Sequence, residues 1–214
     1  KRMIHILEDR FSLFNNFEVV NEDILKVDLK KLIEKEKSNV QNIKIVANLP
    51  YYITTPIIMK LLEEQLPLES ITVMIQKEVA DRLIALPGEK ETGSITYSVH
   101  YYAQVQEILE VSKDSFIPQP EVTSKVIKFN IRKLPAIEIE NPQLMFKVIK
   151  CAFMQRRKTL LNALVNTNIF MNKKQGLQIL DKLGIDNNIR PEKLKLKDYA
   201  DITELIADNG NELK

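Results

Sequence analysis

The sequence predicts an α/β protein whose carboxyl-terminal part is entirely helical. An apolar run over 43–47 stops at Asn48 and is followed, after Thr-Thr-Pro, by apolar residues at helix spacing. A second apolar run over 71–75 leads directly into a helical pattern over 76–86. Strands that alternate with helices are typical of α/β sheets. From residue 141 onward the patterns are helical, which indicates a small second domain.

The first forty residues predict helix, strand and helix. Apolar residues recur with a helical period over 1–14, a short strand is expected over 17–20, and a charged helix over 29–37. Asp23 and Ile24 follow the strand at its carboxyl end, where α/β sheets bind ligands. A carboxylate there can accept a hydrogen bond from the amino group of adenine. Capping of a loop by Asp23 is the alternative, and the sequence favours neither.

The middle of the chain predicts a mobile charged loop over 87–92, a helix over 93–103, and antiparallel strands over 105–111 and 126–131. Between the strands stands Phe116-Ile117-Pro118-Gln119-Pro120. Two prolines so closely spaced hold the chain extended and fix the direction of Phe116. That ring could close one side of a pocket for a flat ligand, or it could be a core residue ahead of an edge strand.

The carboxyl-terminal part carries an excess of positive charge. The net charge is −3 over residues 1–140 and +5 over residues 141–214. The densest basic cluster is Gln155-Arg156-Arg157-Lys158-Thr159, and lysine and arginine bind phosphates without reading sequence. We therefore expect a nucleic-acid contact there, with an ordinary solvated surface as the alternative. Helices are expected over 144–153, 156–164, 174–183 and 198–208. The predicted domains are residues 1–136 and 137–214.

The corner from Asn48 to Tyr51 has a composition suited to an amine on a flat base. The exocyclic amine of adenine is a poor nucleophile, because its lone pair is delocalised into the ring. The Asn48 side-chain oxygen and the Leu49 carbonyl could accept its two N–H groups and draw the nitrogen towards a tetrahedral geometry. Pro50 stiffens the turn and has no N–H to compete, and Tyr51 offers a stacking surface. A simple proline turn capped by an aromatic residue is the alternative. The Thr54-Thr55-Pro56 sequence predicts a helix N-cap followed by proline at the first helical position.

Composition excludes several classes of protein. No apolar run is long enough to span a membrane, and the start of the sequence does not resemble a signal peptide. A single cysteine, Cys151, rules out an intrachain disulfide and fits a reducing cytoplasm. With one cysteine and two distant histidines, no zinc site is expected, and the chemistry above requires no metal.

Five segments in a fixed order resemble the ribosomal-RNA adenine dimethyltransferases of the small-subunit branch, and the resemblance covers essentially the whole chain. They are NEDILKVD (21–28), VANLPYYITTPII (46–58), MIQKEVADRL (74–83), FIPQPEVTSKV (116–126) and AFMQRRKTL (152–160). The resemblance implies a Rossmann-like, S-adenosylmethionine-dependent methyltransferase sheet followed by a small all-α domain.

The resemblance also implies residue roles. Asn48 and the Leu49 carbonyl would bind the target amine, with Pro50 shaping the turn, and Tyr51 and Phe116 would enclose the base. Asp23 and Ile24 would contact the adenine of S-adenosylmethionine, which Asn48 would also border. The helix with the basic cluster, and in it Arg156, Arg157 and Lys158, would help to grip ribosomal RNA.

The sequence departs from the family pattern in three places. Thr92 stands where an aromatic residue usually precedes Gly93, and Leu161 stands where arginine is common, which affects the expected RNA contacts. The family also has a glycine-rich donor loop after its first strand, and none of the five glycines here forms one. We therefore expect a sheet without its first two strands, a fragment of a longer enzyme that binds the donor poorly and is inactive as given.

The expected function is dimethylation of two adjacent adenines near the 3′ end of small-subunit (16S) ribosomal RNA, in ribosome biogenesis. The expected partner is that RNA or the immature small subunit, and the protein is expected to be a cytoplasmic monomer. A non-catalytic RNA-binding assembly factor is an alternative from another class, drawn from the basic helices and the missing glycine loop. A resistance-type large-subunit methyltransferase is an alternative within the class.

Overall fold

The computed structural model describes residues 2–35, 42–155 and 157–211. The described residues divide into two compact units, 2–35 and 42–211. The first contains helix α1 (Arg2–Arg10) and helix α2 (Leu29–Lys35). Both predicted helices are therefore present, but the one predicted over 1–14 ends at Arg10. The last residues of the one predicted over 29–37 lie outside the described part.

The predicted strand over 17–20 is wrong, because the structure shows irregular chain there. A strand needs a ladder of hydrogen bonds to a neighbour, and an apolar pattern alone does not supply one. The apolar residues are used differently: the ring of Phe17 packs on that of Phe11 with centroids 4.4 Å apart, and Phe14 meets Phe11 edge-on at 5.8 Å.

The second unit is built on a sheet with the order β1-β2-β4-β3 among the described residues. Its strands are β1 (Ile43–Asn48), β2 (Leu68–Gln76), β3 (Ala103–Val111) and β4 (Ser124–Ile131). Strands β1 and β2 are parallel, whereas β4 runs antiparallel to both β2 and β3. The antiparallel pairing of the last two strands confirms the prediction.

Helices follow β1 and β2 as predicted, with boundaries that differ from the predicted ones by one or two residues. They are α3 (Thr54–Glu63), α4 (Lys77–Ile84) and α5 (Ser94–Tyr102). The expected cap at Thr54-Thr55 is wrong: Thr54 is already helical, and its Oγ1 donates to the Pro50 carbonyl at 3.0 Å. A 3₁₀ turn over Tyr51–Ile53 runs directly into α3 and so starts the helix early.

The helical part comprises α6 (Pro142–Met154), α7 (Leu160–Asn166), α8 (Lys173–Lys182) and α9 (Leu196–Asn211). The expected start of α7 at residue 156 is wrong, because Thr159 caps the helix by accepting the Asn162 N–H at 3.4 Å. These helices enclose a core that α5 also enters through Tyr97 and Tyr101. The domain boundary at 136/137 stays a prediction.

The two side chains that depart from the family pattern, Thr92 in the loop before α5 and Leu161 in α7, are both buried. Thr92 is 0% exposed and donates to the Leu86 carbonyl at 2.9 Å, and Leu161 is 4% exposed in the helical core. The loop expected to be mobile is thus tied down at its end. Neither side chain is part of the exposed surface.

Candidate active site

The predicted amine-binding corner lies at the carboxyl end of two parallel strands. Asn48 is the last residue of β1 and is paired with Met74 of β2. The Leu49 N–H donates to the Met74 carbonyl at 3.3 Å, which extends the ladder by one residue. Because the Leu49 side chain is buried while Asn48 is exposed, the backbone is anchored and the Asn48 amide faces away from the core.

In the turn after Leu49, the carbonyl of Pro50 accepts two internal hydrogen bonds. The Pro50 carbonyl accepts from the Ile53 N–H at 3.2 Å and from Thr54 Oγ1 at 3.0 Å. The Leu49 carbonyl takes neither of these bonds. These two bonds of the turn therefore go to the Pro50 carbonyl and not to the carbonyl predicted to bind an amine.

The Tyr51 hydroxyl is hydrogen-bonded to Ser124, a residue for which the sequence predicted no role. The hydroxyl oxygen of Tyr51 lies 2.9 Å from the Oγ of Ser124, the first residue of β4, which is 0% exposed. Ser124 is paired with both neighbouring strands, opposite Gln76 of β2 and Val111 of β3. The Tyr51 side chain is therefore attached to the end of an inner strand of the sheet, although its backbone belongs to a 3₁₀ turn.

Phe116 belongs to the connection between β3 and β4. A 3₁₀ turn over Lys113–Ser115 precedes it, and its N–H donates to the Lys113 carbonyl at 3.3 Å. The Ile117–Pro118 peptide bond is cis. Phe116 is half-buried and faces an open cavity of about 330 Å³, together with Asn48, Leu49, Pro50, Tyr51, Pro118 and Pro120. The structure thus brings the five predicted catalytic positions around one cavity.

Of the three predicted donor-binding residues, Asp23 and Ile24 lie in the first unit, and Asn48 lies in the second, at the end of β1. One carboxylate oxygen of Asp23, Oδ1, accepts the Leu25 N–H at 3.0 Å, and its carbonyl accepts the N–H groups of Lys26 and Val27. Asp23 is exposed and Ile24 half-buried. The carboxylate therefore caps a loop, and its second oxygen takes no part in that bond.

The described residues of the basic cluster, Gln155 and 157–159, lie between α6 and α7 and not inside a helix. Arg157 and Lys158 are exposed, and the Lys158 N–H donates to the Gln155 carbonyl at 2.8 Å. In the described part of the chain, neither side chain is paired with a carboxylate. Arg156 lies outside the described residues.

The described part of the chain shows neither a side-chain cluster for a metal ion nor a helix that could span a membrane. Residues 2–35, 42–155 and 157–211 contain no group of three or more His, Cys, Asp or Glu side chains that could hold a metal ion. None of the helices there is long and apolar enough to cross a bilayer.

Fold and cavity together define the class: an α/β protein with an aromatic cavity at the carboxyl ends of parallel strands, the edge at which such sheets bind ligands. The particular family follows from comparison. Residues 1–208 match the ribosomal RNA adenine dimethylase family, and the chain belongs to it. The resemblance seen in the sequence is confirmed, as is the prediction of a ribosomal-RNA adenine methyltransferase.

Named relatives agree with this family. Ribosomal RNA small subunit methyltransferase A of Alkaliphilus oremlandii is 46% identical over 207 residues, covering 97% of this chain and 72% of that protein. The protein of that name from Clostridioides difficile is 45% identical over 206 residues, covering 96% and 71%.

Solved structures agree on the fold. A dimethyladenosine transferase from Plasmodium falciparum superposes with a TM-score of 0.77 at 23% identity, covering 98% of this chain and 80% of that one. The 23S rRNA methyltransferase ErmE gives 0.65 at 19% identity, covering 96% and 78%. The predicted Rossmann-like methyltransferase fold is confirmed.

Proposed function

We propose that this protein transfers methyl groups to the exocyclic amines of two adjacent adenines near the 3′ end of small-subunit ribosomal RNA. The observation that carries the proposal is the cavity that joins the Asn48–Tyr51 corner to Phe116. The family supports the reaction, and the names of the relatives above support the small-subunit substrate. The resistance-type alternative has weaker support, because ErmE is the more distant of the two structural neighbours.

The proposed role of the Asn48–Tyr51 corner, together with Phe116, is to bind the exocyclic amine and the ring of one adenine at the same time. The Asn48 side-chain oxygen and the Leu49 carbonyl accept the two N–H groups of adenine, which frees the nitrogen lone pair for attack. Tyr51 and Phe116 enclose the ring, and stacking of a base on an aromatic side chain contributes about 1–3 kcal/mol. Ser124 keeps the Tyr51 ring in place while the base enters.

The chemistry of the predicted donor-binding residues fits S-adenosylmethionine. The Asp23 oxygen that is not used in the loop cap can accept the amino group of the donor's adenine, beside the half-buried Ile24. The donor supplies an electrophilic methyl group when it is bound. Arg157 and Lys158, exposed and unpaired in the described part, would bind RNA phosphates.

The decisive test is the Asn48→Ala substitution in the complete protein. Loss of one pre-organised polar group at a reacting centre costs about 100- to 1000-fold in kcat. RNA affinity should stay within about threefold, because phosphate contacts dominate it. The matched control is Asn188→Ala, which removes an exposed amide from the helical part.

Three outcomes can be distinguished. Loss of methyl transfer with retained RNA binding supports the assignment. Equal loss of both activities would show that Asn48 is structural. If the unmodified protein binds RNA but transfers no methyl group, the non-catalytic assembly factor becomes the better hypothesis.

A further inference from the structure

A second cavity lies at the opposite end of the sheet from the candidate active site. It measures about 440 Å³, which is in the range of small-molecule sites. Its walls come from the amino end of β2, the end of β4 and the end of α3. Strand β2 runs from Leu68 at this cavity to Gln76 beside Ser124, and eight steps of about 3.3 Å separate the two sites by roughly 26 Å.

Two adjacent cations line this cavity without an acidic partner. Arg132 is half-buried and Lys133 is exposed, and in the described ranges neither forms an ion pair with a carboxylate. Lys125 of β4, the strand that ends just before Arg132, shows the contrast, since its ammonium group pairs with both Asp81 at 2.7 Å and Glu107 at 2.8 Å. A half-buried guanidinium with no carboxylate partner is well placed for an anion from outside the chain.

The cavity wall is fixed before any ligand arrives. The Arg132 Nε donates to the His100 carbonyl at 3.3 Å, and the Arg132 N–H donates to the Tyr102 carbonyl at 2.9 Å. The Ala136 N–H donates to the Tyr101 carbonyl at 3.0 Å. The segment that carries both cations is therefore tied to α5 at each end.

The rest of the lining is suited to a flat ring. Tyr102 is half-buried, and its own ring is held edge-on against Tyr101 with centroids 4.9 Å apart. Pro67 and Leu66 add apolar surface, and Gln65 adds an amide that can bond the edge of a base. Burial raises the pKa of the Tyr102 hydroxyl, and the Glu63 carboxylate acts in the same direction. The negative charge of Glu63 disfavours a phosphate beside Tyr102, so a phosphate is expected beside Arg132 and Lys133 instead.

We infer that this cavity binds one nucleotide of the RNA substrate, with its phosphate on Arg132 and Lys133 and its base against Tyr102 and Pro67. The inference rests on the proposed function, because it takes RNA as the partner. It adds a second contact about 26 Å from the reacting adenine, which is about the length of nine base pairs of an A-form RNA helix at roughly 2.8 Å each. This contact would let the enzyme measure the helix next to its target.

The first experiment uses uridine 5′-monophosphate as the probe, since an adenine nucleotide could also enter the candidate active site. The nucleotide is titrated into ¹⁵N-labelled protein, with uridine and inorganic phosphate as separate arms. We expect amide shifts around residues 65–68 and 131–133 that are larger with the nucleotide than with either part. Lys133→Gln should weaken binding several-fold, and Lys90→Gln, an exposed cation on the 87–92 loop, should not. Shifts confined to residues 48–51 and 116, equal effects of the two variants, or equal responses to phosphate alone would overturn the inference.

The second experiment measures RNA affinity against salt concentration, with a hairpin whose stem of about nine base pairs separates its unpaired loop nucleotides from two unpaired adenines. Losing one phosphate contact should lower the slope of log affinity against log salt by about 0.7–0.9 in Lys133→Gln and leave it unchanged in Lys90→Gln. The difference should vanish when the hairpin has only four base pairs. An unchanged slope in Lys133→Gln would refute the second contact. Methyl transfer by the unmodified protein is scored separately, so failure of the proposed function and failure of this contact give different results.

Discussion

The hydrogen bond between Tyr51 and Ser124 gives the sharpest test of how the cavity is built. The two hydroxyl oxygens lie 2.9 Å apart, but their surroundings differ. Ser124 is 0% exposed, whereas Tyr51 is 37% exposed. Removing either hydroxyl breaks the same bond and leaves a different group without its partner.

The asymmetry sets the magnitudes. In Tyr51→Phe the buried Ser124 hydroxyl stays unsatisfied, which costs about 1–3 kcal/mol of unfolding free energy. In Ser124→Ala the Tyr51 hydroxyl can turn to water, so the cost should stay near the net value of one hydrogen bond, about 0.5–1.5 kcal/mol. The double variant should cost less than the sum of the two, by an interaction energy of about 1 kcal/mol.

Urea unfolding of the four proteins measures the cycle, and methyl-transfer kinetics on the same samples measure its consequence. If Ser124 positions the ring, Ser124→Ala should raise KM for RNA while Ser124→Thr, which keeps the hydroxyl, restores it. Ser70→Ala, at another nearly buried serine of the sheet, controls for the loss of a buried hydroxyl. Additive stability costs, or a larger cost for Ser124→Ala than for Tyr51→Phe, would refute the reasoning.

Three further predictions follow from other parts of the chain. Gly176→Ala should lower the unfolding free energy by about 1–3 kcal/mol in urea titrations, because a Cβ there would lie 2.5 Å from Leu161 Cδ1 and 2.6 Å from Phe170 Cδ2; an increase would show that α8 can shift. Burial lowers the pKa of His100 from 6.5, so the unfolded chain binds more protons and stability should fall as the pH falls below 6.5. His100→Gln should reduce that slope, and an identical slope would exclude His100 as its source. Phe116→Leu should raise KM for RNA several-fold with little change in unfolding free energy, since Phe116 stands on a loop. A large decrease in unfolding free energy together with the higher KM would show that Phe116 is a core residue.

Much of the fold could be predicted because its signals are local. The apolar run that ends at Asn48, the proline turn and the helix after it lie within about twenty residues, and the structure shows all three. The capping prediction failed by two residues: the 3₁₀ turn over Tyr51–Ile53 runs directly into the helix, which begins at Thr54, so Pro56 is its third residue and not its first.

What could not be predicted depends on partners far apart in the chain. Ser124 contacts Tyr51 across 73 positions, and no period or composition indicates that bond. The segment FIPQPEVTSKV contains both Phe116 and Ser124. An aromatic residue suggests stacking, whereas a serine in such a segment does not indicate a role. The irregular chain at 17–20 failed as a strand for the same reason, since a strand is defined by its neighbour.

Under the proposed roles, the corner faces a different ligand in each of two rounds of methylation. The first round can use both acceptors, because the amine has two N–H groups. In the second round one N–H has become N–CH₃, and one hydrogen bond, worth about 1 kcal/mol, is lost. Stacking on Tyr51 and Phe116 does not depend on the amine, and its 1–3 kcal/mol per base stays available. The aromatic pair, of which Tyr51 is held by its bond to Ser124, therefore contributes most to the second round, whereas Asn48 and Leu49 contribute most to the first.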